Sequence, residues 1–546
     1  MWSCVICLEE QPPAAACRDC GCPPLAAPPP GGSSALLPLV SALLCSPPDP
    51  AAGLAFLAAH GLGSEAALES AVNGAGLPRL QADGAPPVRA PACAPPRAPP
   101  LRFGVAPPPR VGLCYDARML GHEGGGGPER PDRLRAAAGV LAGLGLLQAC
   151  VRIAVPEPPN RGAAGAPPLL GGRAVARVCD ALHAVELAGW ERDAAGAGGE
   201  GAEPVGPLDA RFSRGTPLAA RLALAAVGAG VRAAARGVVD RALCLVRPPG
   251  HHASAARSGG FCVLNSVGAA VKEALEEEGL TRVLIVDLDV HHGNGTEALF
   301  AADPRVLTFS LHRWDGGAFY PGSGAAGCTG APGGEGFSAN VAVDGSWIGD
   351  AEVGAMVDRL LAPLARAFCP QLVVVSLGAD SGRGDPIGDW DVTPSGYAAV
   401  VHALAALGVP LVVALEGGYN LATLAASLTA VARVLLGEAP LPLTAGEVGV
   451  PVLPERAVLE GGDGGDFYGS PASRAAPEVV ERAAVDREHA RALLAAGRAW
   501  RAAWASGEAA LPPHPGRAMG PRPAALQAIA ATQAALKATG KWPGLF

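Results

Sequence analysis

The sequence predicts an α/β fold, a parallel sheet with helices on both faces, in three layers. Three observations predict it. Apolar runs with β-branched residues recur as ALCLV (242–246), RVLIVDLDV (282–290), RVLTFSLH (305–312), QLVVVSLGAD (371–380) and PLVVALEGG (410–418). Helical patterns fill the intervals near 266–279, 350–368, 394–408 and 421–437. Polar, Gly-rich segments (RPPGHH, DVHHGNG, GAD, EGGYN) directly follow the strands. Strands buried on both faces read as continuous apolar runs, and strand–helix alternation builds a parallel sheet. In such sheets the crevice beyond the strand C-termini holds the site.

The rest of the chain divides by composition. It has 546 residues, of which Gly (74) and Pro (54) make up about a quarter, a level typical of low-complexity sequence. A hydrophobic share of 49% rules out a wholly disordered chain. The expected division is a cysteine-rich segment at 1–25, a Pro/Ala/Gly-rich linker at 26–104 with one helical patch (Ser34 to Leu57), a folded domain at 105–440 and an extension at 441–546. That extension reads as flexible, with a helix over Glu478 to Trp504, and Asp193 to Val205 reads as a surface loop. A net charge of −8 argues against a nucleic-acid-coating protein and against direct DNA binding. The apolar stretch Ala35 to Cys45 is too short to span a bilayer, and MWSCVICLEE has no basic region before an apolar run, so neither a membrane nor a secretory route is expected. The fourteen cysteines then read as thiols or metal ligands rather than disulfides.

Four of them are arranged as Cys4-x2-Cys7-x9-Cys17-x2-Cys20. Two CxxC pairs suit one tetrahedral structural Zn²⁺, which would supply folding energy to a segment too short for its own core.

Five of the eleven histidines fall between 251 and 312. In DLDVHHGNG, Asp289 and His291 are two apart, so at an extended strand end both point to one side, and Asp287 continues the alternation. Asp380, at the end of VVVSLGAD, supplies a third ligand from an equivalent strand end. Two carboxylates and one imidazole with an open position describe a catalytic metal site, for zinc or ferrous iron. His251 and His252 follow a strand and a Pro-Gly turn, and two imidazoles beside a metal-bound water can act as general base and general acid. Asp287 and Asn294 are available to orient them. Tyr419 follows two glycines and can donate a hydrogen bond to a substrate oxyanion. Any one of these motifs alone is more often a turn or a helix cap; their joint order is what points to a site.

These segments, with YDARMLGHEGGGGPERPDRLRA, GGFCVLNSVGAA, FSLHRWDGGAFYPGSG and VSLGADSGRGDPIGDWDVTPSGYA, resemble the zinc-dependent histone deacetylases of the arginase/deacetylase superfamily, in order over about 330 residues. HHGNGT and EGGYN look like class II, since class I generally has Asp at the Asn294 position. The amino-terminal cysteines resemble a RanBP2-type zinc finger, with Trp2 before Cys4. Here the pairs are nine residues apart where that family has ten, and Gln11 stands near the family's Asn. A finger with a deacetylase is plant-type architecture.

The resemblance implies that Asp289, His291 and Asp380 bind the catalytic Zn²⁺, that His251 and His252 handle protons, with Asp287 and Asn294 behind them, and that Tyr419 polarises the amide carbonyl. It implies that Gly260 and Phe261, with Tyr320 where the family usually has Phe, line a tunnel for the lysine methylenes. Asp209 falls where a loop Asp grips the substrate backbone. Asp287, Asp289, His291, Ser310 and Leu311 match a K⁺ site.

The implied reaction is hydrolysis of N6-acetyl-lysine in an acetylated protein such as a histone, serving chromatin regulation and transcriptional repression in the nucleus with cytoplasmic exchange. Corepressor or transcription-factor partners would dock on the finger or the carboxy-terminal tail. Two alternatives stand beside it. A scaffold with weak catalysis is disfavoured because near-inactive class II relatives have His in place of Tyr419. A polyamine deacetylase would carry Glu in its GDPxG segment, where this chain has Ile387. The acidic run EALEEEG (273–279) reads as a solvated helix face.

Overall fold

The computed structural model describes residues 2–3, 10–11, 79–80, 108–124, 127–158, 173–196, 212–440 and 521–546. Cys4, Cys7, Cys17, Cys20 and Asp209, and the helices expected over 34–57 and 478–504, lie outside the described residues.

Among the described residues the strands, in chain order, are β1 (Trp2–Ser3), β2 (Glu10–Gln11), β3 (Arg79–Leu80), β4 (Val111–Tyr115), β5 (Val151–Ile153), β6 (Arg241–Leu245), β7 (Val283–Asp287), β8 (Val306–Arg313), β9 (Ser338–Val343), β10 (Leu372–Leu377) and β11 (Leu411–Leu415). β1 and β2 form a two-residue antiparallel ladder. The other nine form one sheet in the order β3-β5-β4-β6-β11-β10-β7-β8-β9, with every pair parallel. The fold is the three-layer parallel α/β arrangement that the apolar runs predict, and it agrees with the arginase/deacetylase-like fold that the resemblance implies.

The central strands are buried along their whole length because helices cover both faces. Among the described residues Thr216–Ala235 is the longest helix, and it reads as apolar nearly all round. It is long and apolar enough to cross a membrane by length and composition, and 78% of that stretch is buried inside the protein. Its glycines permit close packing: a Cβ on Gly230 would sit 2.8 Å from the Cys244 sulfur on β6. Asn265 caps the helix Ser266–Glu276, accepting from Gly268 N at 2.7 Å, and Asn420 caps Leu421–Leu435 in the same way.

Three expectations change. The acidic run 273–279 is only partly solvated: Glu273 and Glu278 are buried and paired with Arg232 and Arg236 on the neighbouring helix. The expected loop at 193–205 begins as helix, since Ala181–Gly196 continues through its first four residues. The packed unit also extends beyond the expected limit at 440. The helix Pro523–Ala538 lies on edge strand β9, where Thr532 Oγ1 donates to the Asn340 carbonyl at 2.6 Å and Trp542 Nε1 donates to the Gly336 carbonyl at 2.8 Å. Ile529, Leu536 and Trp542 are buried there. A sheet edge leaves unpaired peptide groups, and this segment covers one.

Candidate metal centre and active site

β6, β11, β10, β7 and β8 are consecutive in the sheet, and their C-terminal ends open at one edge. His251 and His252 follow β6, Glu416 to Tyr419 follow β11, Asp380 follows β10, and Asp287 to His291 end and follow β7. Segments up to 168 residues apart in sequence meet there because strand order, not chain order, sets their neighbours.

Asp289, His291 and Asp380 are buried, and one ligand atom from each lies within 4.8 Å of the others. Asp289 and His291 sit in the turn past β7 rather than on an extended strand end, and the turn is held by side-chain caps. His291 N donates to Asp289 Oδ1 at 3.0 Å, and Asp289 N donates to Asp287 Oδ1 at 3.1 Å. Further amides fix the carboxylates, with Val290 N on Asp380 Oδ1 at 3.0 Å and Gly417 N on Asp289 Oδ2 at 3.0 Å. His291 Nδ1 lies 2.9 Å from Asp289 Oδ1 and 3.2 Å from Asp380 Oδ2.

These residues fit a divalent cation. Burial, reinforced by the Asp289 charge, pushes the Asp380 carboxyl up to about 6, a sign of uncompensated negative charge. Asp380 Oδ2 and His291 Nε2 are buried without a hydrogen-bond partner. The centre also leaves no room for a side chain, since a Cβ on Gly417 would lie 2.4 Å from Asp380 Oδ2 and 2.5 Å from Asp289 Oδ2.

Beside the trio stand the paired imidazoles, ring centroids 4.0 Å apart. His251 Nδ1 donates to Asp287 Oδ2 at 2.9 Å, and His252 Nδ1 donates to Asn294 Oδ1 at 2.7 Å. The two environments push their proton affinities in opposite directions. Burial would lower His251, but the Asp289 and Asp287 charges outweigh it and raise it well above the usual range. Burial pushes His252 well below that range, and the His251 and His291 charges add to it. Adjacent imidazoles whose environments push their proton affinities apart can supply an acid and a base together.

Tyr419 is buried, with the Phe261 ring edge-on at 5.6 Å. Tyr320 stands edge-on to His252 at 5.0 Å and to His291 at 6.1 Å, and Phe319 stacks on His291 at 5.1 Å. Gly260 adopts φ +54°, and a Cβ there would come within 2.3 Å of the His252 ring. Ser310 pairs with Asp287 across the β7–β8 ladder, and Leu311 follows it.

Sequence reasoning missed the residues that hold these loops. Glu129 is buried between Arg247 (Nη2 to Oε2, 2.8 Å) and Arg133 (Nη1 to Oε1, 3.1 Å). Burial opposes its charge, but Arg247, His122 and Arg133 hold it well below the usual carboxylate range. Arg133 also grips the loop before Tyr419, through Nε to the Gly418 carbonyl at 2.6 Å and through Nη2 to the Glu416 carbonyl. Glu416 accepts from Gly250 N at 2.7 Å and His251 N at 3.2 Å. Asp385 accepts from Tyr419 N at 2.7 Å. All of them lie inside the segments that carry the family resemblance, but nothing in those segments names the partner each one holds.

The fold and site define a parallel α/β protein with a buried Asp–His–Asp group that could hold a metal ion, beside an imidazole pair. Comparison with known proteins supplies the family. A sequence model of the histone deacetylase domain matches residues 178–435. The crystal structure of the HDA15 HD domain is similar with a TM-score of 0.55 and 37% identity, over 61% of this chain and 89% of that one. Histone deacetylase 15 of Arabidopsis thaliana is 48% identical over 205 residues (37% of each chain). The polyamine deacetylase HDAC10 of Homo sapiens is 37% identical over 339 residues, 61% of this chain and 47% of that protein. The chain belongs to the histone deacetylase family. It spans between a third and a half of the length of these curated relatives.

Proposed function

We propose that the chain is a class II, zinc-dependent protein lysine deacetylase that hydrolyses N6-acetyl-lysine, in a protein such as a histone, to lysine and acetate. The observation that supports this reading is that the Asp289–His291–Asp380 group, the adjacent His251 and His252 rings and the loop that carries Tyr419 lie together at the buried strand ends.

Asp289, His291 and Asp380 would hold the zinc, which when bound would supply Lewis acidity toward the amide carbonyl and a water. His252, with Nδ1–H committed to Asn294, keeps its Nε2 lone pair free to accept a proton from the attacking water. The Tyr419 hydroxyl donates to the carbonyl oxygen as negative charge develops on it. His251, its charge held by Asp287, returns a proton to the leaving lysine nitrogen. Phe261 and Tyr320 stand on the Tyr419 and His252 sides and flank the lysine methylenes, with Gly260 keeping the backbone close to His252. Asp287, Asp289, His291, Ser310 and Leu311 hold K⁺ beside the centre. The same reading assigns a structural zinc to Cys4, Cys7, Cys17 and Cys20, backbone gripping to Asp209, and nuclear corepressor contacts to the finger or tail.

Ile387 favours a peptide over a cationic polyamine, because an apolar side chain offers no counter-charge. The test is acetate release by the full chain from an acetyl-lysine histone peptide and from an acetylated polyamine, before and after chelation and zinc return. Peptide turnover that is lost with the metal and restored by zinc supports the proposal. Turnover of the polyamine alone moves the assignment to that substrate. A folded, zinc-loaded chain inert on both sinks the enzymatic reading.

A further inference from the structure

We propose that Asp385 is a positioning residue for the Tyr419 hydroxyl; the inference rests on the reading that Tyr419 donates to the substrate carbonyl. Tyr419 and Asn420 precede the first turn of the helix Leu421–Leu435, and their N–H groups have no acceptor within it. Asp385 Oδ2 accepts both, at 2.7 Å and 3.1 Å. Its Oδ1 accepts Ile387 N at 3.0 Å, which shapes its own turn. The carboxylate is 6% exposed, so water contributes little to holding these amides.

Two further bonds join the same segments: Asn420 Nδ2 donates to the Gly384 carbonyl at 2.8 Å, and Thr423 Oγ1 donates to the Arg383 carbonyl at 2.6 Å. Asp385 therefore connects the loop that carries Asp380 to the loop that carries Tyr419. On its other side the Tyr419 loop is fixed by Gly417 N on Asp289 Oδ2 and by Ala379 N on the Gly417 carbonyl, both at 3.0 Å. Without Asp385 the metal-side anchors and the bonds to the Gly384 and Arg383 carbonyls remain, and the direct acceptor of the Tyr419 and Asn420 amides is lost. The loop would then pivot at Gly418, whose φ of +117° is already a glycine conformation. A phenol displaced by about 1 Å from a developing oxyanion loses roughly 100-fold in rate.

The experiment uses the full zinc-loaded chain and four variants, Asp385→Asn, Asp385→Ala, Tyr419→Phe and Asp385→Ala with Tyr419→Phe. The expected results for Asp385→Ala are a kcat lower by about 10- to 100-fold and a KM within about 3-fold. Bound zinc stays near wild type, the thermal unfolding temperature falls because three amides lose their acceptor, and Asp385→Asn, which keeps one acceptor oxygen, recovers part of both losses. In the Tyr419→Phe background the same change costs less than about 2-fold, because the hydroxyl it positions is gone. Equal losses in both backgrounds, loss of zinc, or no loss would overturn the proposal. If the wild type turns over no acetyl-lysine peptide, the functional reading fails first. The cycle is then read as affinity for a hydroxamate peptide analogue, where additive effects overturn the Asp385 assignment and non-additive effects keep it.

Discussion

The Arg133 guanidinium lies 5.0 Å from the centroid of the Tyr419 ring and donates through Nε to the carbonyl of Gly418, the residue before Tyr419. One side chain thus holds both the backbone and the ring of the phenol, 285 residues from the carbonyl it binds. Glu129 joins this grip to Arg247, four residues before His251, so the phenol loop and the imidazole loop share one buried ion network.

Arg133→Lys keeps the charge and loses the planar fork, so it cannot serve Gly418, Glu416 and Glu129 together. The expected outcome is a fall in kcat on an acetyl-lysine peptide of about 10-fold or more, with bound zinc retained. Steady-state kinetics beside metal analysis checks it; wild-type kcat would show that the grip is not needed for the phenol.

Gly417→Ala places a methyl carbon where Asp380 Oδ2 and Asp289 Oδ2 converge. Bound zinc, measured by atomic absorption after dialysis, should drop to well below one ion per catalytic site, as it should for Asp380→Ala. Full zinc occupancy in Gly417→Ala would mean that the cation sits elsewhere.

Asp350 sets a pH dependence of stability away from the metal. Burial, with Asp391 adding to it, pushes its carboxyl up to about 6, against the pull of two Thr393 hydrogen bonds and of Arg383. The folded value lies above the unfolded value of about 3.9, so its contribution is fully present below pH 4 and is lost as pH rises through 6. Asp350→Asn should therefore gain on wild type between pH 4 and pH 7, by at most about 3 kcal/mol. Denaturation of both proteins across that range checks the sign; a difference that does not change with pH refutes it.

Removing residues 521–546 uncovers β9 and takes away Ile529 and Leu536, whose burial is worth about 1.5–3 kcal/mol each. The shortened chain should melt roughly 5 °C or more below the full one and associate more readily through the bared edge. An unchanged melting temperature and monomer fraction would show that the segment adds nothing to the packed unit.

The sequence by itself determined the five central strands, the helices over 266–276, 350–368, 394–405 and 421–435, and the residues gathered at the strand ends. Those signals are local: a run of β-branched residues, a helical period, or a His–Asp spacing is complete within ten residues. The three-residue strand Val151–Ile153 carries too few residues for such a pattern, and Ser338–Val343 (SANVAV) breaks its apolar run with small and polar residues, so neither is legible. Only the tertiary structure decided that Arg133, Glu129, Glu416 and Asp385 serve the site, that Glu273 and Glu278 are buried in ion pairs, and that residues 521–546 close the sheet edge. Each of these depends on a partner brought close by strand order, and a charged residue shows the same identity in the sequence whether it faces water or a buried partner.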